Sequence, residues 1–513
     1  MTSLWLDRNT PLAEHGATYP ASDFAPGAEY DAVVVGAGLT GLVTALLLVR
    51  AGKRVAVIDA IGVGGLATGN TTAKLSLLQG ARYSAMLAKT ARKNAAAYVE
   101  SNREGFEWLL RYLDDHSVPY QRRDAYTYAG TPEGAADVDR EHLAARRLGL
   151  PVEKVTALEL PFPAFGAVRL SDQAQFDPMD VLRAMAADVR SRGGTLVEGV
   201  RVTRVRAGGS DRPSVVVTTE GDVLAAQVVL ATGMPFLDRG LYFAKLEPSR
   251  SYALAFRVPA GEVAPDFGMY LSLDAPGRSL RTTPVVPADL PSALDGADIL
   301  IVGGNGHRVG AHPHPRDLVT DLETWTLAHF PGAERTHAWS AQDYRSADRI
   351  PFIGRLPRSR RRVYLATGFD KWGMANAVAA GIRISAEILG GHLPWAKVIG
   401  RRVTRPGGFA TGARVNLEVG ALAVTGWARA EAAREPAPPS EGRGVVGSAG
   451  AKPVGVCTVG GVSRRVSAVC PHLGGVVTWN DQELSWDCPL HGSRFRADGT
   501  RIEGPATEDL APA

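Results

Sequence analysis

Cysteine is scarce in this chain: three residues among 513, all within the last 60. A secreted scaffold stapled by disulfides is therefore excluded, and each cysteine needs its own explanation. An excess of one charge is also lacking, because 57 Lys and Arg against 53 Asp and Glu leave a net charge of +4. That balance singles out no class of partner. A convincing membrane segment is missing too. Residues 32–49 form an uncharged, mostly apolar run of 18, at the lower limit for a spanning helix, but Gly36, Gly38 and Gly41 interrupt it. Residues 1–29 carry acids and prolines and no basic stretch ahead of an apolar core, so no secretory signal is read there. The expectation is a cytoplasmic protein without membrane insertion.

What is present is globular in character. Hydrophobic residues make up 45% and charged ones 21%, which excludes a disordered, collagen-like or coiled-coil chain. The length predicts about three to five domains or subdomains, and 57 Gly with 33 Pro predict many tight turns.

The first informative stretch is Asp31-Ala32-Val33-Val34-Val35, a β-branched apolar run of the kind buried in parallel sheets. It leads into Gly36-Ala37-Gly38-Leu39-Thr40-Gly41 and a helical stretch to Arg50. A second apolar run, residues 54–58, ends in Asp59, 23 positions after Gly36. Each part has a mechanical reason. Gly36 makes the tight turn, Gly38 admits a pyrophosphate to the backbone, and Gly41 lets helix and strand pack closely. The helix start, with Leu39 and Thr40, offers free N–H groups and a positive dipole end to a diphosphate. Asp59 stands where a carboxylate accepts from an adenosine ribose. Dinucleotide binding is the expectation, with a Gly-rich turn of some other α/β unit as the bland alternative.

Two later strands end alike, at Ala231-Thr232-Gly233 and Ala366-Thr367-Gly368. With these, the sequence resembles the flavin-dependent oxidoreductases of the D-amino-acid oxidase and glycine oxidase group over residues 30–392. The resemblance implies an α/β FAD-binding domain, Rossmann-like and of the glutathione-reductase type, with an antiparallel β substrate subdomain. It also implies a second FAD-contacting loop at Gly64-Gly65 and Asn70-Thr71-Thr72-Ala73-Lys74, and a last one through Gly354, Gly368, Trp372, Gly373 and Met374. A helix starting near Gly373 sets positive dipole against the flavin pyrimidine. FAD is preferred to NAD because a second nucleotide fingerprint is missing. Gly303-Gly304-Asn305-Gly306 reads as a turn at a strand end, and His312-Pro313-His314-Pro315 breaks any helix after it. No cysteine lies in this module, so non-covalent FAD is expected, with a histidine linkage left open.

Near the C-terminus stand Cys470-Pro471-His472 and, after fifteen further residues, Cys488-Pro489-Leu490-His491. Rieske 2Fe-2S centres take two thiolates on one iron and two imidazoles on the other, and two loops giving one Cys and one His each supply that set. Tetrahedral zinc is the runner-up. The segment further resembles Rieske domains in a hairpin at residues 479–486 and in turns at Asp498-Gly499 and Gly504-Pro505. Two departures from that family bear on the redox potential. The second Cys of each loop, which forms a clamping disulfide in many members, is replaced by Gly475 and Leu490. Of the two hydroxyls that bond cluster sulfurs in high-potential members, Ser493 is present, but Phe495 stands at the Tyr position. Cys457 has no partner and reads as a buried structural thiol on an early strand.

The organisation expected is a leader over residues 1–30, then an FAD-dependent module over 31–400 with a substrate sheet inserted at about 155–345. A helix and Pro/Gly-rich linker over 401–440 and a small all-β Rieske domain over 441–513 follow. Arg355, Arg358, Arg360, Arg361 and Arg362 form a basic cluster without interleaved aromatics, read as a solvated loop and not as a nucleic-acid surface. His312, His314 and Asp317 have the composition of a two-His-one-carboxylate iron site, though their prolines place them in a loop. Arg281, on a substrate-side strand, is a candidate clamp for a carboxylate. His307, Lys371 and Trp372 are further substrate-side candidates, and no catalytic acid or base is identifiable. The function implied is an oxidoreductase that takes hydride from a small amine or amino-acid-like substrate onto FAD, then passes electrons to the cluster and an external acceptor or donor protein. Two alternatives stand: an electron-transfer protein feeding a partner oxygenase, and a Rieske-type oxygenase with non-haem iron at His312, His314 and Asp317.

Overall fold

The computed structural model describes residues 1–8, 18–209, 212–284, 298–401, 406–450 and 452–513. The strand Glu29–Val35 lies inside an eight-stranded sheet. Gly221–Leu230 and then Val363–Thr367 run parallel on one side of it, and Val55–Ile58 and then Thr195–Val197 on the other. Val33, Val34, Val57 and Val229 have no exposed surface, as strands covered on both faces require. Helix Leu39–Arg50 covers one face and is itself packed under helix Gly373–Leu389. The approach there is close enough that a Cβ on Gly381 would meet Val43 Cγ1 at 2.6 Å. The apolar run at residues 32–49 is therefore a buried strand, turn and helix. No helix among the described residues is long and apolar enough to cross a membrane.

A second, nine-stranded sheet carries the order Glu334–Ser346, Leu246–Val258, Asp298–Arg308, Arg278–Pro284, Met269–Ser272, Tyr120–Tyr128, Ala167–Phe176, Lys74–Leu75, with Glu153–Val155 paired to Ala167–Phe176. It is not one block inserted at about 155–345. Lys74–Leu75 and Tyr120–Tyr128 join it from earlier in the chain, while Thr195–Val197 and Gly221–Leu230 return to the first sheet. Hydrophobic period marks a strand but says nothing about which sheet it pairs into.

Two other expectations change. Gly303-Gly304-Asn305-Gly306 lies within the strand Asp298–Arg308, not at a strand end. Asn305 takes a left-handed φ of 51°, and the pairing with Leu246–Val258 shifts register between Arg250 and Tyr252, the mark of a bulge. Pro315 does not end a helix but opens one, Pro315–His329, where a proline's missing N–H costs nothing. The described start of the leader is docked on the larger module. In helix Leu4–Arg8, Leu4 and Trp5 are fully buried, Trp5 Nε1 donates to Thr71 O at 2.7 Å, and Ser3 Oγ donates to Gly69 O. The leader's residues 9–17, and residues 402–405 of the linker, lie outside the described residues.

The C-terminal module is all β. Gly444–Ala449, Lys452–Val459 and Val462–Ser467 form one sheet; Thr478–Asn480, Ser485–Asp487, Arg494–Arg496 and Arg501–Glu503 form the other. They share a core that includes Cys457, Trp486 and Phe495, and burial pushes the Cys457 thiol up to about 11. Helix Pro406–Ala432 spans both modules: Asn416 Nδ2 donates to Ala244 O at 2.9 Å and Trp427 Nε1 to Gly474 O at 2.8 Å.

Candidate functional site

A cavity of about 430 Å³ is walled by residues of both large sheets, a size usual for cofactor sites. Its lining takes Gly36, Gly38, Leu39 and Thr40 from the glycine turn, and Asp59, Gly65, Thr71, Thr72 and Lys74 from the loop region after it. Thr232, Gly233, Gly368, Lys371, Trp372, Gly373 and Met374 line it further along. Gly41 and Gly354 lie outside the lining. Gly41 packs so tightly that a Cβ would sit 1.9 Å from Gly36 O, and Gly354, at φ 121°, abuts Arg383.

The turn is built for an anion. Gly36 has φ 107°, and a Cβ there would come within 2.6 Å of Ala231 O. Helix Leu39–Arg50 starts at Gly38 with no side-chain cap, so its first N–H groups are offered to the cavity; Leu39 N–H alone reaches a side chain, Thr68 Oγ1, at 3.2 Å. Asp59 accepts from the N–H groups of Ala37 (2.7 Å), Ile61 (2.8 Å) and Gly62 (2.9 Å), which fixes the turn while its carboxylate stays on the cavity wall. Helix Gly373–Leu389 also begins at the cavity without a side-chain cap. Two helix starts and a glycine cradle fit the diphosphate and flavin ends of FAD.

Of the four substrate-side candidates, Lys371 and Trp372 reach this cavity; Arg281 and His307 do not. Arg281 is 1% exposed and spends its guanidinium on the carbonyls of Thr72 (2.9 Å), Ala73 (3.0 Å), Phe176 (3.2 Å) and Thr282 (3.0 Å), under the Trp5 ring. It staples the loop before Lys74 to its own strand. His307 stands behind Tyr252, with Nε2 3.3 Å from the Tyr252 hydroxyl and Nδ1 2.7 Å from Arg308 O. Tyr252, Arg278, Gln342 and Asp343 line the cavity instead. They sit on strands, and nothing in the local sequence marks them.

Two lining groups titrate near neutral pH. Burial, aided by the neighbouring Arg281 charge, pulls the Lys74 amine down to about 7; it donates to Ser279 Oγ and, at 3.3 Å, to Tyr270 O. Burial pushes the Asp343 carboxyl up to about 6, against the N–H groups of Lys371 and Tyr344 that favour its charged form. The Lys371 amine is lowered by the same desolvation.

The candidate second centre brings together Cys470, His472, Cys488 and His491. The two thiols are hydrogen-bonded neighbours and form no disulfide. The two imidazoles stand edge to face with centroids 5.2 Å apart. This two-plus-two arrangement suits a pair of irons. Among the described residues no three His, Cys, Asp or Glu side chains gather around a single metal position. At His312, His314 and Asp317, the His314 N–H donates to His312 Nδ1 at 3.2 Å. His472 supplies the sharpest test. Its Nδ1 is buried with no hydrogen-bond partner among the described residues, while Nε2 lies 3.1 Å from Asp238 Oδ1. One ring nitrogen free and the other held by a carboxylate is the pattern of a metal-ligating histidine. The four residues fit the cluster.

The two centres share an interface. Thr232, Gly233, Met234 and Phe236 line the cavity, and the same segment then brings Asp238 to His472 and Phe243 to both imidazoles, at 5.0 Å each. Gln342, on the cavity wall, donates to Gly492 O at 2.7 Å. Behind it, Arg250 and Asp487, 0% and 3% exposed, form an ion pair at 3.7 Å across the modules.

Fold and centres together define a flavin-type oxidoreductase with an attached iron–sulfur domain. The chain belongs to the family of FAD-dependent oxidoreductases, which it matches over residues 31–387, and it carries a Rieske 2Fe-2S domain over residues 436–512. It is 30% identical over 491 residues to YhfW of Bacillus subtilis, named a Rieske 2Fe-2S iron–sulfur protein, covering 94% of this chain and 93% of that one. Over 48 residues it is 50% identical to the cytochrome b6-f complex iron–sulfur subunit of Microcystis aeruginosa, covering 9% of this chain and 27% of that subunit. Glycine oxidase from Geobacillus kaustophilus has the fold of the larger module at TM-score 0.58 and 20% identity, covering 72% of this chain and 96% of its own. L-proline dehydrogenase from P. horikoshii superposes at TM-score 0.57 and 19% identity, with the same coverage of 72% and 96%. The cofactors are FAD and a 2Fe-2S cluster.

Proposed function

We propose that the chain is a dehydrogenase for a small amine or amino-acid-like substrate, and that its iron–sulfur domain relays the electrons to an acceptor protein outside the chain. FAD supplies a hydride acceptor able to release electrons singly, and a fused cluster raises the effective concentration of the next carrier. The observation that carries this reading is the segment shared by both centres, with Thr232 and Gly233 on the cavity and Asp238 and Phe243 on the cluster histidines. Cavity chemistry supports the substrate class. An amine must shed its ammonium proton before its C–H bond yields a hydride, and Lys74 and Asp343 are poised to carry a proton near neutral pH. The neighbours in fold, a glycine oxidase and an L-proline dehydrogenase, also act on substrates with an amine nitrogen. With Cys470 and Cys488 taken by the cluster, Cys457 has no cysteine to pair with, a usage that fits a cytoplasmic location.

Anaerobic mixing with a panel of amines and amino acids tests the proposal, following flavin absorbance and then the reduced-cluster EPR signal. Flavin bleaching followed by the EPR signal is expected. Rapid cluster reduction by a protein donor, with no bleaching by any small substrate, would reject the dehydrogenase in favour of a carrier that serves a partner oxygenase.

A further inference from the structure

The cavity is not closed by the larger module alone. Arg501, Ile502, Glu503 and Gly504, from the last strand of the iron–sulfur domain and the residue after it, form part of its wall. They meet it beside Arg201, which lines the cavity within electrostatic reach of Asp59. The Arg201 guanidinium donates to the main-chain carbonyls of Arg501 at 3.0 Å and Ile502 at 3.4 Å. The same stretch is braced from behind. Glu503 accepts from Arg494 at 2.8 Å, Arg501 donates to Ala506 O at 2.6 Å, and Gly504 lies so close to Ser493 that a Cβ would meet its Cα at 2.5 Å. Ser493 follows the ligand His491 by two positions. One short stretch is thus pressed between the FAD cavity and the cluster loop.

We infer that the iron–sulfur domain is a structural part of the FAD site: residues 501–504 close the nucleotide end of the cavity and retain the cofactor. An extended dinucleotide lying from the glycine turn to Trp372 cannot leave past this wall unless the Arg201 bridges open and the domain lifts. Coupling of this kind is reciprocal. If docking of the domain tightens FAD binding, bound FAD must stabilise the docked domain by the same free energy. The contact between Arg316 and Asp481, where Arg316 N–H donates to Asp481 Oδ1 at 3.1 Å and Arg316 Nη2 to Asp481 O at 3.0 Å, is a docking contact outside the cavity wall. Weakening it therefore speeds FAD release without touching the cofactor.

Two measurements on the full-length protein test this, and neither involves turnover, so they stand apart from the proposed electron path. The first is amide hydrogen exchange of residues 494–504 in the wild-type protein with FAD bound and after its removal, with the cluster spectrum checked in both. FAD is expected to slow exchange there by about tenfold or more. The second is the rate of FAD release, read by flavin fluorescence, in Ile502→Gly and Arg316→Ala. Both variants are expected to release FAD about tenfold faster, with the cluster EPR signal retained. Equal exchange with and without FAD overturns the inference whatever the variants do. Unchanged release in both variants, each with an intact cluster, overturns it as well.

Discussion

The side-chain amide of Gln342 donates to the main-chain carbonyl of Gly492 at 2.7 Å, so one hydrogen bond joins the wall of the flavin cavity to the loop that holds His491. The amide is fixed at both ends: its oxygen accepts from Arg250 at 3.0 Å, and its nitrogen also donates to Tyr344 Oη at 2.8 Å. Gln342→Leu keeps the volume and removes the bridge. Stopped-flow mixing with a reducing substrate is expected to show cluster reduction slowed roughly tenfold relative to flavin bleaching, a barrier change of ~1.4 kcal/mol. If cluster reduction keeps its rate, contact through Phe243 alone is sufficient.

Asp487 has two cationic partners, Arg250 across the module boundary at 3.7 Å and Arg494 within its own domain at 3.4 Å. Removing the carboxylate leaves the Arg250 guanidinium buried without its ion-pair partner, a loss of about 3–5 kcal/mol, while Arg494 keeps Glu483 at 3.4 Å and Glu503 at 2.8 Å. Removing Arg250 leaves Asp487 still paired with Arg494, so the cost is smaller. Denaturant unfolding is therefore expected to rank Asp487→Ala well below Arg250→Met, with both below wild type. The reverse order would mean that the inter-module pair outweighs the one inside the domain.

Lys74 makes stability depend on pH in a direction that can be worked out. Its amine titrates near 7 in the folded protein and near 10.4 in an unfolded chain. Between those values the unfolded chain binds the extra proton, so stability rises with pH from about 7 to about 10, and the penalty is complete below about 7. Lys74→Met removes that penalty. Thermal unfolding of the FAD-loaded proteins is expected to favour the variant by a few kcal/mol near pH 6, at ~1.4 kcal/mol per pKa unit, and to bring the two together near pH 10. A wild-type melting temperature that does not rise over this range relative to the variant would contradict the burial of a charged amine.

How much of this was legible in the sequence depends on how local the signal is. The glycine turn, the Ala-Thr-Gly strand ends and the four cluster residues each declare themselves within a few positions, because tight turns and metal loops need particular residues at fixed spacing. Arg281 misled for the opposite reason. On a strand its neighbours alternate, and only tertiary pairing decides that Arg278 lines the cavity while Arg281 is buried among the carbonyls of residues 72, 73 and 176. Asp238 and Phe243 were silent as well. Their role comes from a domain more than 200 residues later folding back onto them, and no local pattern records that contact.

The loops around the cluster bear on its potential. Gly475 and Leu490 stand where many Rieske domains carry the clamping cysteines, and a Cβ on Gly475 would lie 2.5 Å from Leu490 Cδ1, so apolar packing fills that place. Ser493 sits within hydrogen-bond reach of the Cys470 thiol and also accepts from Ala506 N–H at 3.1 Å. Phe495 is fully buried and has no hydroxyl to offer. A hydrogen bond to cluster or ligand sulfur stabilises the reduced, more negative state and raises the potential. With one such hydroxyl in place of two, the midpoint is expected in the lower half of the roughly −150 to +300 mV Rieske range. Phe495→Tyr is expected to raise it by about 40 mV, since ~1 kcal/mol corresponds to that shift for one electron at about 59 mV per tenfold. Ser493→Ala is expected to lower it by a similar amount. Redox titration followed by EPR reads all three proteins, and a wild-type midpoint near the top of the range would show that the protein compensates for the missing hydroxyl by other means.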